Sequence, residues 1–224
     1  MRLLILSATQ FEIQPLIQFL EKHFVSTSTV TFQKGNLEVS LLITGVGQAS
    51  TAYGLTRTLA GRPVDLVVHA GIAGARALAI HPIGSVVQVV ADVFADLGVE
   101  EQNGDFIPVT ALGLLDENQF PYSNGWLRAP EESYLPILPK VTGRTVNRVP
   151  GTALLIQQLE QHFSAEVETM ESASTFLVCL SESVPFLQIR SISNQIEPRN
   201  RANWNIPLAI ERLNEVLIDF IRQW

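Results

Sequence analysis

The sequence predicts an α/β fold with three layers, in which helices cover both faces of a central, mixed, largely parallel twisted sheet. Several strand candidates are continuous apolar runs rather than alternating patterns, which is typical of strands that are buried on both faces. These runs alternate with helical segments along the chain, as parallel strands joined by helical crossovers require. Because the 224 residues contain no internal repeat and no linker, we predict a single domain over residues 1–224.

The first half of the chain is predicted to hold four strands and two helices. The strands are short runs dominated by apolar residues, and we place them at Leu3–Ser7, Glu38–Thr44, Asp65–Ala70 and Ser85–Val90. The helices either repeat apolar residues at helical spacing or follow a glycine turn, and we place them at Phe11–Phe24 and Gln48–Leu59. This order of elements is that of successive strand–helix–strand units.

The second half is predicted to hold two strands and three helices. The strands are placed at Thr145–Val149 and Phe186–Ser193, and the first two helices at Thr152–His162 and Ser172–Leu180. The last helix has Asn205 as its N-cap and Pro207 in its first turn. Its apolar stripe, which we expect to pack on the sheet, consists of Leu213, Val216, Leu217, Phe220 and Ile221.

Regular periodicity fails between Ala111 and Lys140. This segment contains four prolines and the aromatic residues Phe120, Tyr122, Trp126 and Tyr134. Loops of this length in compact domains are usually functional or lie at interfaces. We therefore expect Ala111–Lys140 to cover a pocket or to contribute to an interface between subunits.

The composition restricts the class of partner. Charged residues make up 17% of the chain and the formal net charge is −7, so we expect no nucleic-acid partner. The longest apolar stretch, Leu66–Ile80, is interrupted by His69 and Arg76 and is shorter than the ~20 residues of a membrane span, so we expect no membrane partner. The single cysteine, Cys179, cannot form an intrachain disulfide, and we expect a cytoplasmic protein.

Several common site motifs are incomplete. The turn Gly45-Val46-Gly47 follows a strand as in dinucleotide-binding folds, but Ser50 stands at the third glycine position, so the turn indicates at most an anion site. The four histidines lack metal-ligand spacing and Cys179 lies in an apolar helix, so we expect neither a metal nor an organic cofactor. One acidic run lacks a calcium-site pattern and is expected in a solvated loop; it contains Asp92, Asp96, Glu100, Glu101 and Asp105.

Three groups of polar residues remain at the ends of apolar strands, where open α/β sheets place their sites. They are Glu12, the pair Met170-Glu171 and the run Arg190–Asn194. Each also has a purely structural explanation. Glu12 completes a capping box with Thr9, and Glu171 is favourable at a helix N-terminus because of the helix dipole. Asn194 is a residue type that is common in turns.

Five segments, taken together and in order, resemble the nucleoside phosphorylase and nucleosidase superfamily. They are Ser7–Ile13, Thr44–Gly47, His69–Gly74, Val167–Glu171 and Arg190–Asn194. The resemblance covers nearly the whole chain and implies the nucleoside phosphorylase fold. Within that superfamily, Phe94–Gly98 and Ser193–Trp204 resemble the futalosine hydrolases. The resemblance implies hydrolysis of futalosine, a 5′-substituted inosine, to hypoxanthine and dehypoxanthine futalosine in menaquinone biosynthesis.

The resemblance also implies roles for the matching residues. Glu12 would activate the attacking water, and Arg190 would orient that water and the carboxylates of the site. The full set is, for catalysis, Glu12, Asn194 and Arg190; for the ribose, Met170 and Glu171; for the base, Asn194 and Val149; and for the glycine loops, Gly45, Gly47 and Gly71. Nucleoside cleavage passes through an oxocarbenium-like state, so a base, a carboxylate beside the ribose and stabilisation of the leaving purine are the groups that it needs.

Asn194 departs from the adenine nucleosidases of this superfamily, which carry an aspartate at that position. An amide NH2 donates to a 6-oxo group while its oxygen accepts from a protonated N7. The asparagine therefore indicates a 6-oxopurine and disfavours methylthioadenosine and adenosylhomocysteine. Futalosine carries a carboxylate on its 5′ tail, and Arg199 and Arg201 are candidates to bind it, although both are equally compatible with an exposed loop.

Three other functions stay open on the sequence. A methylthioadenosine/adenosylhomocysteine nucleosidase is the one that Asn194 disfavours. A 6-oxopurine nucleoside phosphorylase would use phosphate as the nucleophile and would need an anion site. A silent nucleoside-binding protein would use Glu12 only as a helix cap, and the joint presence of Glu12, Glu171 and Arg190 argues against it. In every case the partner is a small-molecule nucleoside, and the resemblance implies a homodimer or a larger homo-oligomer.

Overall fold

The computed structural model describes residues 1–133 and 135–224, with helices on both faces of a mixed sheet. The helices are α1 (Gln14–His23), α2 (Gln48–Gly61), α3 (Ala153–His162), α4 (Ser172–Ser181) and α5 (Ile206–Arg222). The first six strands are β1 (Arg2–Ser7), β2 (Val25–Ser28), β3 (Thr31–Lys34), β4 (Leu37–Ile43), β5 (Leu66–Ala75) and β6 (Val86–Asp92). The others are β7 (Gly98–Glu100), β8 (Phe106–Pro108), β9 (Tyr122–Ser123), β10 (Trp126–Arg128), β11 (Lys140–Thr145), β12 (Val167–Thr169) and β13 (Phe186–Gln195). The predicted α/β class is confirmed.

The sheet combines parallel pairing at its centre with antiparallel pairing elsewhere. β1 lies between β4 and β5, and β5 also pairs with β13, all in parallel. β11 runs parallel to β6 and β12, whereas β12 is antiparallel to β5 and β13 is antiparallel to β6. The strands β5, β12, β11, β6 and β13 therefore close into a ring. The sheet is mixed, as predicted, but the expectation that it is largely parallel is met only in the groups β4-β1-β5-β13 and β6-β11-β12, because six of the described pairs of this sheet are antiparallel and five are parallel.

Alternate residues of β1 face opposite layers of helices, which explains why this strand is a continuous apolar run. Leu3 and Ile5 pack in a cluster with α1 and α5, and Leu4 and Leu6 pack in a cluster with α2 and α4. All four side chains are at most 1% exposed, and full burial of one such side chain contributes about 1.5–3 kcal/mol. Because β1, β4, β5 and β13 are parallel, their carboxyl ends lie at the same edge of the sheet.

The helices lie close to their predicted positions. The predicted cap of the last helix is confirmed, because the Asn205 side chain accepts a hydrogen bond from Leu208 N at 3.2 Å. Cys179 is buried in α4, and burial raises the pKa of its thiol well above the usual range, as an inert core thiol requires. None of the described helices is long and apolar enough to cross a membrane.

The strand predicted at Thr145–Val149 is wrong. β11 ends where that prediction begins, and residues 146–149 leave the sheet as a loop. β11 lacks a strong apolar run and contains Gly143, where an added Cβ would overlap the Asp92 carboxylate. The glycine is required for close packing, which a reading of apolar patterns does not detect.

β5 is longer than predicted. Gly71 was expected in a glycine loop, but Gly71 and Gly74 both lie inside this strand. An added Cβ at Gly71 would collide with the side chain of Arg190, and one at Gly74 would lie 3.1 Å from Asn194 Nδ2. The two glycines therefore make room on β5 for polar side chains of β13.

The segment Ala111–Lys140 contains more structure than its composition predicts. It includes β9, β10 and a 3-10 helix at Glu131–Ser133. Leu127 is fully buried against the core, whereas Phe120 is exposed. Tyr134 lies outside the described residues. The proposed role of this segment at an interface stays a prediction.

Candidate active site

A cavity of about 290 Å³ opens at the carboxyl ends of the parallel strands. Five of the residues predicted for the site line it: Glu12, Val149, Met170, Glu171 and Asn194. They come from the turn after β1, the loop after β11, the junction of β12 with α4, and the end of β13. The fold therefore gathers residues that are up to 182 positions apart in the chain around one pocket.

Glu12 both caps a helical turn and faces the pocket. Its Oε2 accepts hydrogen bonds from the Thr9 amide at 3.0 Å, from Thr9 Oγ1 at 2.9 Å and from Ser7 Oγ at 3.2 Å. The capping interaction predicted with Thr9 is therefore present. Its Oε1 accepts a longer bond, of 3.2 Å, from the amide of Ile72 on β5. One carboxylate oxygen is thus held firmly by its own turn, and the other is turned towards β5 at the cavity wall.

Asn214 of α5 fixes this turn from behind. Its Nδ2 donates to Glu12 O at 2.8 Å, and its Oδ1 accepts from Leu16 N at 3.0 Å. The asparagine is 1% exposed. The sequence reasoning missed this residue, although an amide next to the apolar stripe of an amphipathic helix is a signal for a buried polar partner.

Glu171 lies at the N-cap position of α4 and is held from the opposite side of the cavity. The backbone amide of Gly47 donates to Glu171 Oε1 at 3.0 Å. Gly45 and Gly47 both have positive φ values, of 84° and 100°, so the turn after β4 needs glycine to present that amide. Burial raises the pKa of Glu171, and the nearby Arg190 guanidinium opposes the rise. The glycine turn serves a carboxylate of the site and not a dinucleotide.

Arg190 is fully buried beneath the cavity and does not line it. Its Nε and Nη2 donate to Ser172 Oγ at 3.2 and 3.0 Å, and Nη2 also donates to His69 Nε2 at 2.9 Å. The point where a Gly71 Cβ would lie is occupied by Arg190 Nη1 and is 3.0 Å from Glu12 Oε1, so the two side chains meet across the glycine. Arg190 therefore lies behind the cavity wall, where its charge interacts with the carboxylates of Glu171 and Glu12.

His69 is a buried partner of Arg190. Burial and the guanidinium lower the pKa of His69 well below its usual value, so the imidazole is neutral and has a lone pair for the guanidinium. Nε2 lies 2.9 Å from Arg190 Nη2, and Nδ1 lies 2.8 Å from Thr175 Oγ1 and 3.1 Å from Gln188 Nε2. In the part of the chain that the structure describes, no group of three or more metal-binding side chains occurs.

Asn194 lies at the other end of the cavity with a fixed amide orientation. Ser193 Oγ donates to Asn194 Oδ1 at 2.7 Å, and Asn194 Nδ2 donates to the carbonyl of Gln195 at 2.9 Å. Because a carbonyl only accepts, the group beside it must be the NH2. One N–H and one lone pair of the amide remain for a ligand. Val149, which is 37% exposed, supplies an apolar surface to the same cavity.

Of the two arginines predicted for the substrate tail, Arg199 contacts a residue that lines the cavity through its guanidinium. Trp204 lines the cavity, and the Arg199 guanidinium lies 5.8 Å from the centre of its ring. Arg201 is exposed at the start of a 3-10 helix and does not line the cavity. No described residue of Ala111–Lys140 lines this cavity, so the described part of that segment does not cover it within this chain, and Trp204 is an aromatic residue of the lining.

Two acidic residues near the site have surroundings that the sequence did not indicate. Asp92 was expected in a solvated loop, and this is wrong: it is fully buried at the end of β6, where its Oδ1 accepts from Thr145 Oγ1 at 2.8 Å. Burial raises the pKa of Asp92 to about 7. Glu168 of β12 lines the cavity and pairs with the buried Arg144, whose Nε donates to Glu168 Oε2 at 2.9 Å.

Comparison with known proteins identifies relatives over most of the chain. The model of the family described as "Phosphorylase superfamily" matches residues 2–222. A futalosine hydrolase of Streptomyces coelicolor is 38% identical over 182 residues, which is 79% of this chain and 76% of the relative. A 5′-methylthioadenosine/S-adenosylhomocysteine nucleosidase of Haemophilus ducreyi is 28% identical over 84% of this chain and 82% of its own length. The solved futalosine hydrolase of Helicobacter pylori superposes with a TM-score of 0.79 at 16% identity, over 100% of this chain and 98% of the other.

Proposed function

The chain belongs to the phosphorylase superfamily, and from this premise we propose that it is an N-glycosyl hydrolase that cleaves futalosine to hypoxanthine and dehypoxanthine futalosine. The observation that carries the proposal is the convergence of Glu12, Glu171 and Asn194 on one cavity, in a chain that is 38% identical to a futalosine hydrolase. These three groups correspond to the three requirements of the reaction: a base for water, a carboxylate beside the ribose and a partner for the leaving purine.

Glu12 is the general base. Oε2 is occupied by three donors of its own turn, so Oε1, next to Ile72 on the cavity wall, is the oxygen that takes a proton from water. The water oxygen bonds to C1′ of the ribose while the bond from C1′ to N9 breaks, and the electron pair of that bond leaves with the purine. The buried guanidinium of Arg190 meets the Glu12 carboxylate across Gly71 and attracts its negative charge, which helps to hold Oε1 in place.

Glu171 and Met170 bind the ribose. A carboxylate oxygen accepts hydrogen bonds from sugar hydroxyls, and its charge stabilises the positive charge that develops on the ring as the glycosidic bond lengthens. The Gly47 amide holds Oε1 of Glu171, which leaves Oε2 for the hydroxyls. Met170 supplies a flexible apolar contact to the sugar face.

Asn194 and Val149 bind the base. The free N–H of the Asn194 amide donates to O6, and the oxygen accepts from N7 once that atom is protonated. Because an amide has no acidic proton, the proton on N7 comes from solvent. Val149 packs against the plane of the purine. The 6-oxo group of hypoxanthine accepts a hydrogen bond from the N–H of Asn194, whereas the 6-amino group of adenine would place a second donor against that N–H. This arrangement therefore supports hypoxanthine over adenine as the leaving base.

The substrate tail is placed at the rim of the cavity. Arg199 stacks on Trp204 and would bind the carboxylate of futalosine, with the benzoate ring against the indole. Arg201 remains a second candidate on the same exposed turn. We also propose that the protein is a single-domain, cytoplasmic enzyme of menaquinone biosynthesis. We propose that it forms a homodimer or a larger homo-oligomer, and the exposed side chains of Tyr53 on α2 and Phe120 are candidate contact residues between subunits.

Release of hypoxanthine from futalosine and from inosine, each with and without phosphate, tests the proposed function. We expect release from futalosine without phosphate, a lower kcat/KM for inosine because it lacks the tail, and no activity on methylthioadenosine. A requirement for phosphate would make the protein a 6-oxopurine phosphorylase. Release of adenine from methylthioadenosine would assign it to the adenine nucleosidases, and no release at all would leave a nucleoside-binding protein.

A further inference from the structure

We propose that Glu168 is a specificity-determining residue that accepts a hydrogen bond from N1–H of the 6-oxopurine base. The inference rests on the proposed function, since it names how the same cavity selects the base. The motif that contains Glu168 was noted in the sequence only for Met170 and Glu171. In the structure Glu168 is 7% exposed, and it lines the same cavity as Asn194.

The strand register places Glu168 opposite Asn194. Both residues pair with Gly74 of β5, Asn194 from β13 on one side and Glu168 from β12 on the other. Residues that pair directly across strands project from the same face of a sheet. With neighbouring strands about 4.8 Å apart, the two backbones lie about 10 Å from each other, with a glycine between them. This gap accommodates a flat heterocycle that is hydrogen-bonded at both edges.

One oxygen of Glu168 is used by the protein and the other is not. Arg144 Nε donates to Oε2 at 2.9 Å, whereas Oε1 accepts no hydrogen bond from any described residue. Arg144 is 1% exposed, so it neutralises the carboxylate from the side away from the cavity. Since Glu168 lines the cavity, the lone pairs of Oε1 are available to a donor of a bound ligand.

The chemistry of the purine decides which ligand satisfies this oxygen. In hypoxanthine N1 carries a hydrogen and donates, whereas in adenine N1 has a lone pair and accepts. A carboxylate stabilises the first and repels the second. Asn194 then forms hydrogen bonds with N7 and O6, and Glu168 accepts one from N1–H. Opposite walls of the cavity therefore recognise the same tautomer of the base. Selection against the wrong base arises because the lone pair of its N1 would face a charged acceptor.

Glu160 provides a matched control. It is the other carboxylate that contacts Arg144, with Arg144 Nη1 donating to its Oε2 at 3.2 Å, but it lies on α3 and does not line the cavity. Glu168→Gln and Glu160→Gln therefore remove the same charge from the same ion-pair network. Only the first changes the group that faces the base.

The test compares kcat/KM for two nucleosides that share the futalosine tail, one with hypoxanthine and one with adenine. For Glu168→Gln we expect the preference for hypoxanthine to fall by about 10- to 100-fold, the effect of losing one hydrogen bond to a charged acceptor. For Glu160→Gln we expect that preference to stay within about twofold of the wild type. An equal loss on both nucleosides in Glu168→Gln would mean that Glu168 only supports the fold, and would overturn the inference.

A binding measurement separates this inference from the proposed function. Calorimetry with hypoxanthine and 1-methylhypoxanthine needs no turnover and no variant, because the methyl group removes the N1 donor. We expect the wild-type protein to bind hypoxanthine at least about tenfold more tightly. If futalosine is not cleaved but this difference is found, the proposed function fails and the role of Glu168 stands. If the two bases bind equally, the role of Glu168 is refuted whatever the activity.

Discussion

Replacing Glu12 with glutamine separates its two roles, helix capping and proton abstraction. An amide has one oxygen, and the structure determines where that oxygen goes. The Thr9 backbone N–H can only donate, so the amide oxygen must take the place of Oε2, where it keeps the hydrogen bonds from Thr9 and Ser7. The NH2 group then takes the place of Oε1. The cap survives in this variant, and the oxygen that faces the water is lost.

The expected magnitudes differ for stability and for rate. Stability loses the 3.2 Å bond from the Ile72 amide and one carboxylate near the buried Arg190, which together reduce the free energy of unfolding by about 1–3 kcal/mol. Loss of a general base lowers kcat by about 10²- to 10⁴-fold. Glu12→Gln should therefore lose little of its free energy of unfolding but most of its kcat.

Two assays measure these quantities: urea unfolding for stability, and hypoxanthine release from futalosine at saturating concentration for kcat. Glu21→Gln on the exposed surface of α1 is the control for removal of a carboxylate, and we expect it to change neither quantity. If Glu12→Gln unfolds about 1–3 kcal/mol more easily but keeps kcat within about twofold of the wild type, Glu12 is a cap only. The proposed mechanism would then be refuted.

Three further predictions address the base, the tail and the buried acid. Asn194→Asp should lower turnover of futalosine because it removes the N–H that donates to O6, and equal or higher turnover would remove this argument for a 6-oxopurine. Arg199→Ala should raise KM for futalosine by about tenfold without affecting KM for inosine. If neither Arg199→Ala nor Arg201→Ala changes KM for futalosine, the tail assignment fails. Burial raises the pKa of Asp92 from 3.8 to about 7, so the unfolded chain ionises first and the free energy of unfolding falls, by roughly 3 kcal/mol, as the pH rises from 4 to 7. In Asp92→Asn this loss should vanish between pH 4 and pH 7 in urea unfolding, and an unchanged pH dependence would show that Asp92 is not the responsible group.

The buried elements of the fold were predictable from the sequence because their patterns are local. β1 reads as a continuous apolar run since both of its faces are covered, and α5 carries both its cap residue and its stripe in neighbouring positions. β11 was misplaced for the opposite reason: it is a strand because Gly143 lets it pack on Asp92, and a single glycine carries no periodic signal. The exposed hairpin of β2 and β3 likewise has no apolar run to mark it.

The candidate site divides in the same way. Glu12, Glu171 and Asn194 stand out in the sequence because polar groups directly after apolar strands are unusual and their order along the chain is distinctive. The sequence could not show that Glu12 has one oxygen bound by its own turn and one turned towards β5, nor that Asn214, more than 200 residues further on, holds that turn in place.

The sequence by itself therefore determined the fold class and indicated the strand ends proposed to carry the chemistry and, through Asn194, the class of base that we propose. Only the tertiary structure decided which of these groups touch the cavity and which act from behind it. Arg190 and Glu168 show the difference, because one is buried beneath Gly71 and the other faces the cavity opposite Asn194. The physical reason is that burial and hydrogen-bond partners depend on strand register and on contacts between distant segments, and these contacts set the charge and orientation on which the reaction depends.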